Sequence, residues 1–111
     1  MLRQTFCHIK GISEKGESAL WHAGIQDWHQ FFEPSDRLEK MLSANKIKTL
    51  TTWLQDSESA LDRRDHRFFS GFLPPQAHWR LFREFRDRTA YVDIETTGLS
   101  KESNKITTIA L

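Results

Sequence analysis

The sequence predicts an α+β fold: a small helical N-terminal region followed by a β-hairpin near the C-terminal end. Three observations predict it. Apolar residues recur at helical spacing between Leu20 and Phe85. Beyond them, Ala90–Glu95 alternates with period two, and Ile106–Leu111 is β-branched and uncharged. Between the two regimes stands Phe72-Leu73-Pro74-Pro75, whose tandem prolines interrupt helix. A boundary there divides the chain into residues 1–74 and 75–111.

The elements follow in order. Thr5–Ile9 mixes β-branched and aromatic residues and reads as extended. Gly11-Ile12-Ser13 is a tight turn, and Ser13 caps a helix from about Glu14 to Ala23, stopped by Gly24. Asp27 caps a short helix packed through Trp28, Phe31 and Phe32. Pro34-Ser35 opens a helix with Leu38, Met41 and Leu42 on one face, ending at Asn45. Ile47, Leu50, Trp53 and Leu54 mark another. Ser57 and Asp65 read as caps of two further pieces, the second carrying Phe68, Phe69 and Phe72. Gln76–Arg86 presents Trp79, Phe82 and Phe85 on one face.

Composition bounds the function classes. With 38% hydrophobic and 28% charged residues, the 111-residue chain has globular composition. A formal net charge of +1 neither demands nor excludes nucleic acid, so any basic surface must be local. Cys7 is the only cysteine, which removes intramolecular disulfides and argues against cysteine-based zinc sites. The N-terminal stretch has no apolar signal core, and no run approaches the roughly 20 apolar residues of a membrane span. The expectation is a cytoplasmic protein with no membrane partner.

Chemistry concentrates at Tyr91–Leu99. On a strand, Asp93 and Glu95 share one face, with Cα atoms roughly 6.5–7 Å apart. Carboxylates are depleted from strands, and two like charges on a half-buried face repel. A divalent cation resolves both problems, since Mg²⁺ and Mn²⁺ prefer hard oxygen ligands. A two-metal site of that kind clamps the attacking and leaving oxygens of a phosphoryl transfer. The alternative for a bare Asp-x-Glu pair is a solvated sheet face.

The string Asp93-Ile94-Glu95-Thr96-Thr97-Gly98-Leu99 resembles the first motif of the DEDD-type 3′→5′ exonucleases, which have the ribonuclease H-like fold. The order of parts, with the run Trp79–Phe85 ahead of this motif, is similar to that of the YprB-like ribonuclease H-like proteins. The resemblance implies that residues 75–111 are the N-terminal portion of such a hydrolase domain, starting with its first β-hairpin. It implies Asp93 and Glu95 as catalytic ligands of Mg²⁺ or Mn²⁺. It places Thr96, Thr97, Gly98 and Leu99 against the 3′-terminal nucleotide of DNA or RNA. The family needs two further acidic residues and a His or Tyr base on later segments, which residues 1–111 do not contain. The expectation is therefore a truncated domain, not competent alone, from a longer native product.

Ile9-Lys10-Gly11-Ile12-Ser13-Glu14-Lys15 resembles a helix-hairpin-helix element, in which backbone N–H groups at a helix start hold a nucleic-acid phosphate. The resemblance implies contacts from Lys10, Gly11, Ser13 and Lys15. Ser13 departs from it, standing where a second glycine is usual. A helix-packing turn is the alternative. A module that binds nucleic acid without chemistry is the alternative function. His8, His22, His29, His66 and His78 form no metal-ligand pattern, and the arginines between Arg63 and Arg88 read as a solvated face or a phosphate-tracking rim.

Overall fold

The computed structural model describes residues 1–97 together with the backbone of 106–110; the side chains of 93–96 and of 106–110 are not described. Residues 1–88 form the folded body. It begins with a 3-10 turn at Leu2–Gln4, then runs through α1 (Glu14–His22), α2 (Trp28–Phe32), α3 (Arg37–Met41), α4 (Ala44–Asp62) and α5 (His66–Phe72). A composite run follows: a 3-10 stretch at Pro75–Leu81, α6 (Phe82–Phe85) and a 3-10 turn at Arg86–Arg88.

The α+β expectation is corrected. Helix makes up 67% of residues 1–92, which contain no strand. The first β-hairpin of a ribonuclease H-like domain therefore forms no part of the fold. The backbone of Asp93–Thr96 does run antiparallel to that of Ile106–Ala110. The physical reason is that period-two alternation is a local tendency, whereas a sheet layer needs further strands or a helix to cover it. The helical body fills its core with its own aromatics.

Capping decides most helix boundaries. Ser13 Oγ accepts from the Gly16 N–H, Asp27 from that of Gln30, Ser43 from that of Lys46 and Asp65 from that of Phe68. Gly24 ends α1 in the left-handed region, with φ at 89°. The Ser43 cap starts α4 at Ala44, so Asn45 lies inside a helix instead of ending one. Ser57 likewise does not cap: it is buried within α4, where its hydroxyl donates to the Trp53 carbonyl. Arg64 takes φ of 54° at the end of α4, a position that more often holds glycine. Its guanidinium is held there by Asp87 and the Glu84 carbonyl, 20 or more residues downstream.

The core is aromatic. Trp28 stacks on Phe69 at 6.3 Å between ring centroids, and Phe69 meets Phe85 at 6.4 Å. Leu50 and Leu54 bring α4 against the same cluster. Trp53 docks α5 through Phe68 and Phe72. Ala77 and Phe85 are buried with these residues, so the body continues through 75–88, past the tandem prolines.

Thr5 is extended, with φ −103° and ψ 130°, but Thr5–Ile9 forms no strand: a turn follows, with Ile9 N–H bonded to the Phe6 carbonyl. Indole N–H groups need partners when buried. The Trp28 N–H takes the Thr5 carbonyl at 2.7 Å, and the Trp21 N–H takes that of Gln4 at 2.9 Å. These bonds fix the N-terminal segment onto α1 and α2.

Candidate functional site

The Ile9–Lys15 segment is built as the sequence suggests on its C-terminal side only. The Ile12 N–H bonds to the Ile9 carbonyl at 3.0 Å, closing a four-residue turn. Gly11 occupies the third position with φ at 91°, which the turn requires and glycine supplies without strain. Ser13 then caps α1, whose first N–H groups are the orphan donors every helix start carries. Lys10, Gly11, Ser13 and Lys15 are all exposed and lie together on this turn. They line an open cleft of about 660 Å³, whose other wall is Gly71–Pro74 with Gln76. Glu14 sets one carboxylate among these donors. Residues 1–8 hold a 3-10 turn and no α-helix, so they do not supply the first helix of a helix-hairpin-helix element.

Below this turn sits an ion pair that sequence reasoning missed. Glu17 is 1% exposed. Its carboxylate accepts from the Phe6 and Cys7 N–H groups at 2.7 and 3.0 Å. Arg80 donates to both of its oxygens, at 2.8 and 2.9 Å. Arg80 in turn lies 5.7 Å from the ring centroids of both Trp21 and Trp79. One carboxylate thus joins the N-terminal turn, α1 and the 75–81 stretch. The signal was present: Glu17 shares a helix face with Leu20 and Trp21, where a carboxylate needs a buried partner. Cys7, beside this pair, is buried, and its thiol is pushed up to about 11, chiefly by burial and then by Glu17. It is not a reactive thiolate.

His8 is the second buried polar group. Its Nε2 lies 2.8 Å from Ser57 Oγ. Because the Ser57 hydroxyl donates to Trp53, the hydrogen-bond network assigns the proton to Nε2, leaving Nδ1 as an unpartnered lone pair among the described residues. Burial lowers the His8 pKa to about 4. The neutral ring is the folded form, so the unfolded chain binds the extra proton between about pH 6.5 and 4. Stability should be fully present above pH 6.5 and fall by roughly 3 kcal/mol toward pH 4. Urea titrations of the parent and of His8→Phe across that range check this. The slope attributable to His8 should vanish in the variant; parallel curves would contradict it.

At the acidic motif the backbone of Asp93–Thr96 is extended. Positions 93 and 95 therefore share one face of that segment, as the spacing implied. Thr97 is exposed. Gly98 and Leu99 lie outside the described residues, as do the side chains of Asp93, Glu95 and Thr96. Among the described residues no group of three or more His, Cys, Asp or Glu side chains could hold a metal. The donor chemistry nonetheless suits magnesium, which is commonly bound through one or two carboxylates with water and substrate phosphate completing the shell.

No family model, curated protein or solved structure matches the chain. Among the described residues no helix is long and apolar enough to cross a membrane.

Proposed function

We propose that the chain is the N-terminal part of a metal-dependent 3′→5′ exonuclease acting on nucleic acid, with Asp93 and Glu95 as metal ligands. The observation that carries this reading is the string Asp93–Leu99: two acids at i and i+2, a threonine pair, a glycine and a leucine at fixed offsets. The extended backbone at 93–96 supports it, since positions i and i+2 of an extended segment lie on one face. Bound Mg²⁺ or Mn²⁺ supplies Lewis-acid stabilisation of the phosphoryl oxygens and an activated water. The chain's own part is to present Asp93 and Glu95 as hard oxygen donors. Thr96, Thr97, Gly98 and Leu99 lie against the terminal nucleotide in this reading. A reducing cytoplasmic setting suits the buried, protonated Cys7.

The test uses the natural open reading frame that contains this sequence. A single strand labelled at its 5′ end should shorten from its 3′ end with Mg²⁺ or Mn²⁺, and chelation should stop the reaction. Metal-independent cleavage, or shortening from the 5′ end, would sink the assignment.

A second reading, nucleic-acid binding without chemistry, is favoured by one specific observation: Lys10, Gly11, Ser13 and Lys15 meet on the wall of the turn cleft. In that reading a phosphate sits against the start of α1, and replacing Lys10 and Lys15 weakens binding.

A further inference from the structure

The composite run 75–88 has an outward face that the core does not use. Ala77 and Phe85 are buried, and Leu81 packs against the core. Trp79, Phe82, Arg83 and Arg86 are exposed, at spacings of three, one and three residues; Arg83 also lines a cleft with Asp27 and Glu58. Trp79 is 62% exposed and Phe82 43%. Tyr91, 65% exposed, contacts Phe82 edge-to-face at 5.9 Å. Large aromatics are the costliest residues to leave in water, and three of them are exposed on this stretch of chain.

Charge identifies the occupant. Between residues 79 and 92 the chain holds four arginines and two carboxylates. Both carboxylates are engaged toward the body: Glu84 with the Met1 amino group at 2.9 Å, and Asp87 with Arg64. Arg80 is committed to Glu17, and Arg88 donates to the Arg64 carbonyl. Arg83 and Arg86 have no carboxylate partner among the described residues. This stretch therefore combines exposed rings with two arginines that have no ion-pair partner among the described residues. An apolar protein partner would have to desolvate those guanidinium groups, whereas a polyanion with unpaired bases satisfies both features.

We propose that Trp79, Phe82 and Tyr91, flanked by Arg83 and Arg86, form a stacking platform for single-stranded nucleic acid. The inference rests on the reading that the chain acts on nucleic acid, and it specifies strandedness and surface. Bases stack on the rings, and the arginines track the phosphates. A duplex, with its bases already stacked, gains only the electrostatic part.

The test measures fluorescence anisotropy of labelled oligo(dT) and of a duplex of equal length, between about 50 and 200 mM salt. The parent chain is compared with Trp79→Ala/Phe82→Ala, Arg83→Gln/Arg86→Gln and Lys10→Ala/Lys15→Ala, with circular dichroism confirming each fold. The aromatic pair should lose on the order of tenfold or more in oligo(dT) affinity with its salt slope unchanged. The arginine pair should flatten the salt slope by about 1–2. The parent should prefer oligo(dT) to duplex. Parent-like oligo(dT) affinity in the aromatic variant overturns the platform. If the lysine variant alone loses binding, the turn cleft is the contact and the nucleic-acid reading survives without the platform. No binding by the parent chain defeats both. Self-association of the parent that the aromatic variant abolishes, without oligonucleotide binding, makes the stripe a protein contact and overturns the proposal.

Discussion

Replacing Asp93 by alanine should reduce metal-dependent 3′→5′ degradation by at least about a thousandfold, because a metal ligand supplies several kcal/mol of transition-state stabilisation. Glu95→Ala should do the same. The effect belongs to kcat, with KM little changed, since substrate held by the helical body and by the surroundings of the motif should still bind. Asp93→Asn is the sharper variant. It keeps the shape of the side chain and removes the charge, so folding stays constant while the cation loses a hard anionic ligand. Activity in Asp93→Asn equal to that of the parent would remove Asp93 from the reaction. The measurement is the 5′-labelled strand assay with Mn²⁺ held constant, accompanied by circular dichroism of each variant.

The largest effect on folding should come from Glu17→Ala. This change orphans the Phe6 and Cys7 N–H groups and leaves the Arg80 guanidinium, whose side chain is 13% exposed, without its carboxylate. Breaking one side of a buried pair costs about 3–5 kcal/mol. Domains of this kind have about 5–15 kcal/mol in total, so the variant should be close to unfolded at moderate urea. Glu17→Gln should lose less, because the amide oxygen still accepts an N–H bond. Urea denaturation followed by circular dichroism reads both. A Glu17→Ala midpoint within error of the parent would mean that the pair does not hold the N-terminal turn.

The caps were legible because they act locally. Ser13, Asp27 and Asp65 each bond within three residues, so the sequence carries the whole interaction. The spacing of Leu50 and Leu54 marked the buried face of α4 for the same reason. Long-range polar contacts were not legible. Thr5–Ile9 has strand-forming composition, but a carboxylate from α1 and two indole N–H groups take its backbone groups, and it forms no strand. Asp87 lies 23 residues from Arg64, and that pairing supports a left-handed arginine no local rule would place there. The run after the prolines was read as one α-helix with Trp79, Phe82 and Phe85 together. Its first seven residues are 3-10, which brings Trp79 and Phe82 into line on the exposed side, and Phe85 at the end of the following α-helical turn is buried.

The candidate sites divide the same way. Lys10, Gly11, Ser13 and Lys15 were found together because a four-residue turn and a cap place them so. The acidic motif was found as a string of residue types, which needs no fold to be seen. Its α+β setting was not legible, since whether an alternating segment joins a sheet depends on partners that local sequence does not contain.

The most direct test of the central claim is a Mn²⁺ titration of the chain in the presence of thymidine monophosphate, followed by electron paramagnetic resonance. The account predicts saturable Mn²⁺ binding that disappears in Asp93→Ala/Glu95→Ala, while helical circular dichroism is unchanged. Binding retained at parent strength in that double variant would contradict it.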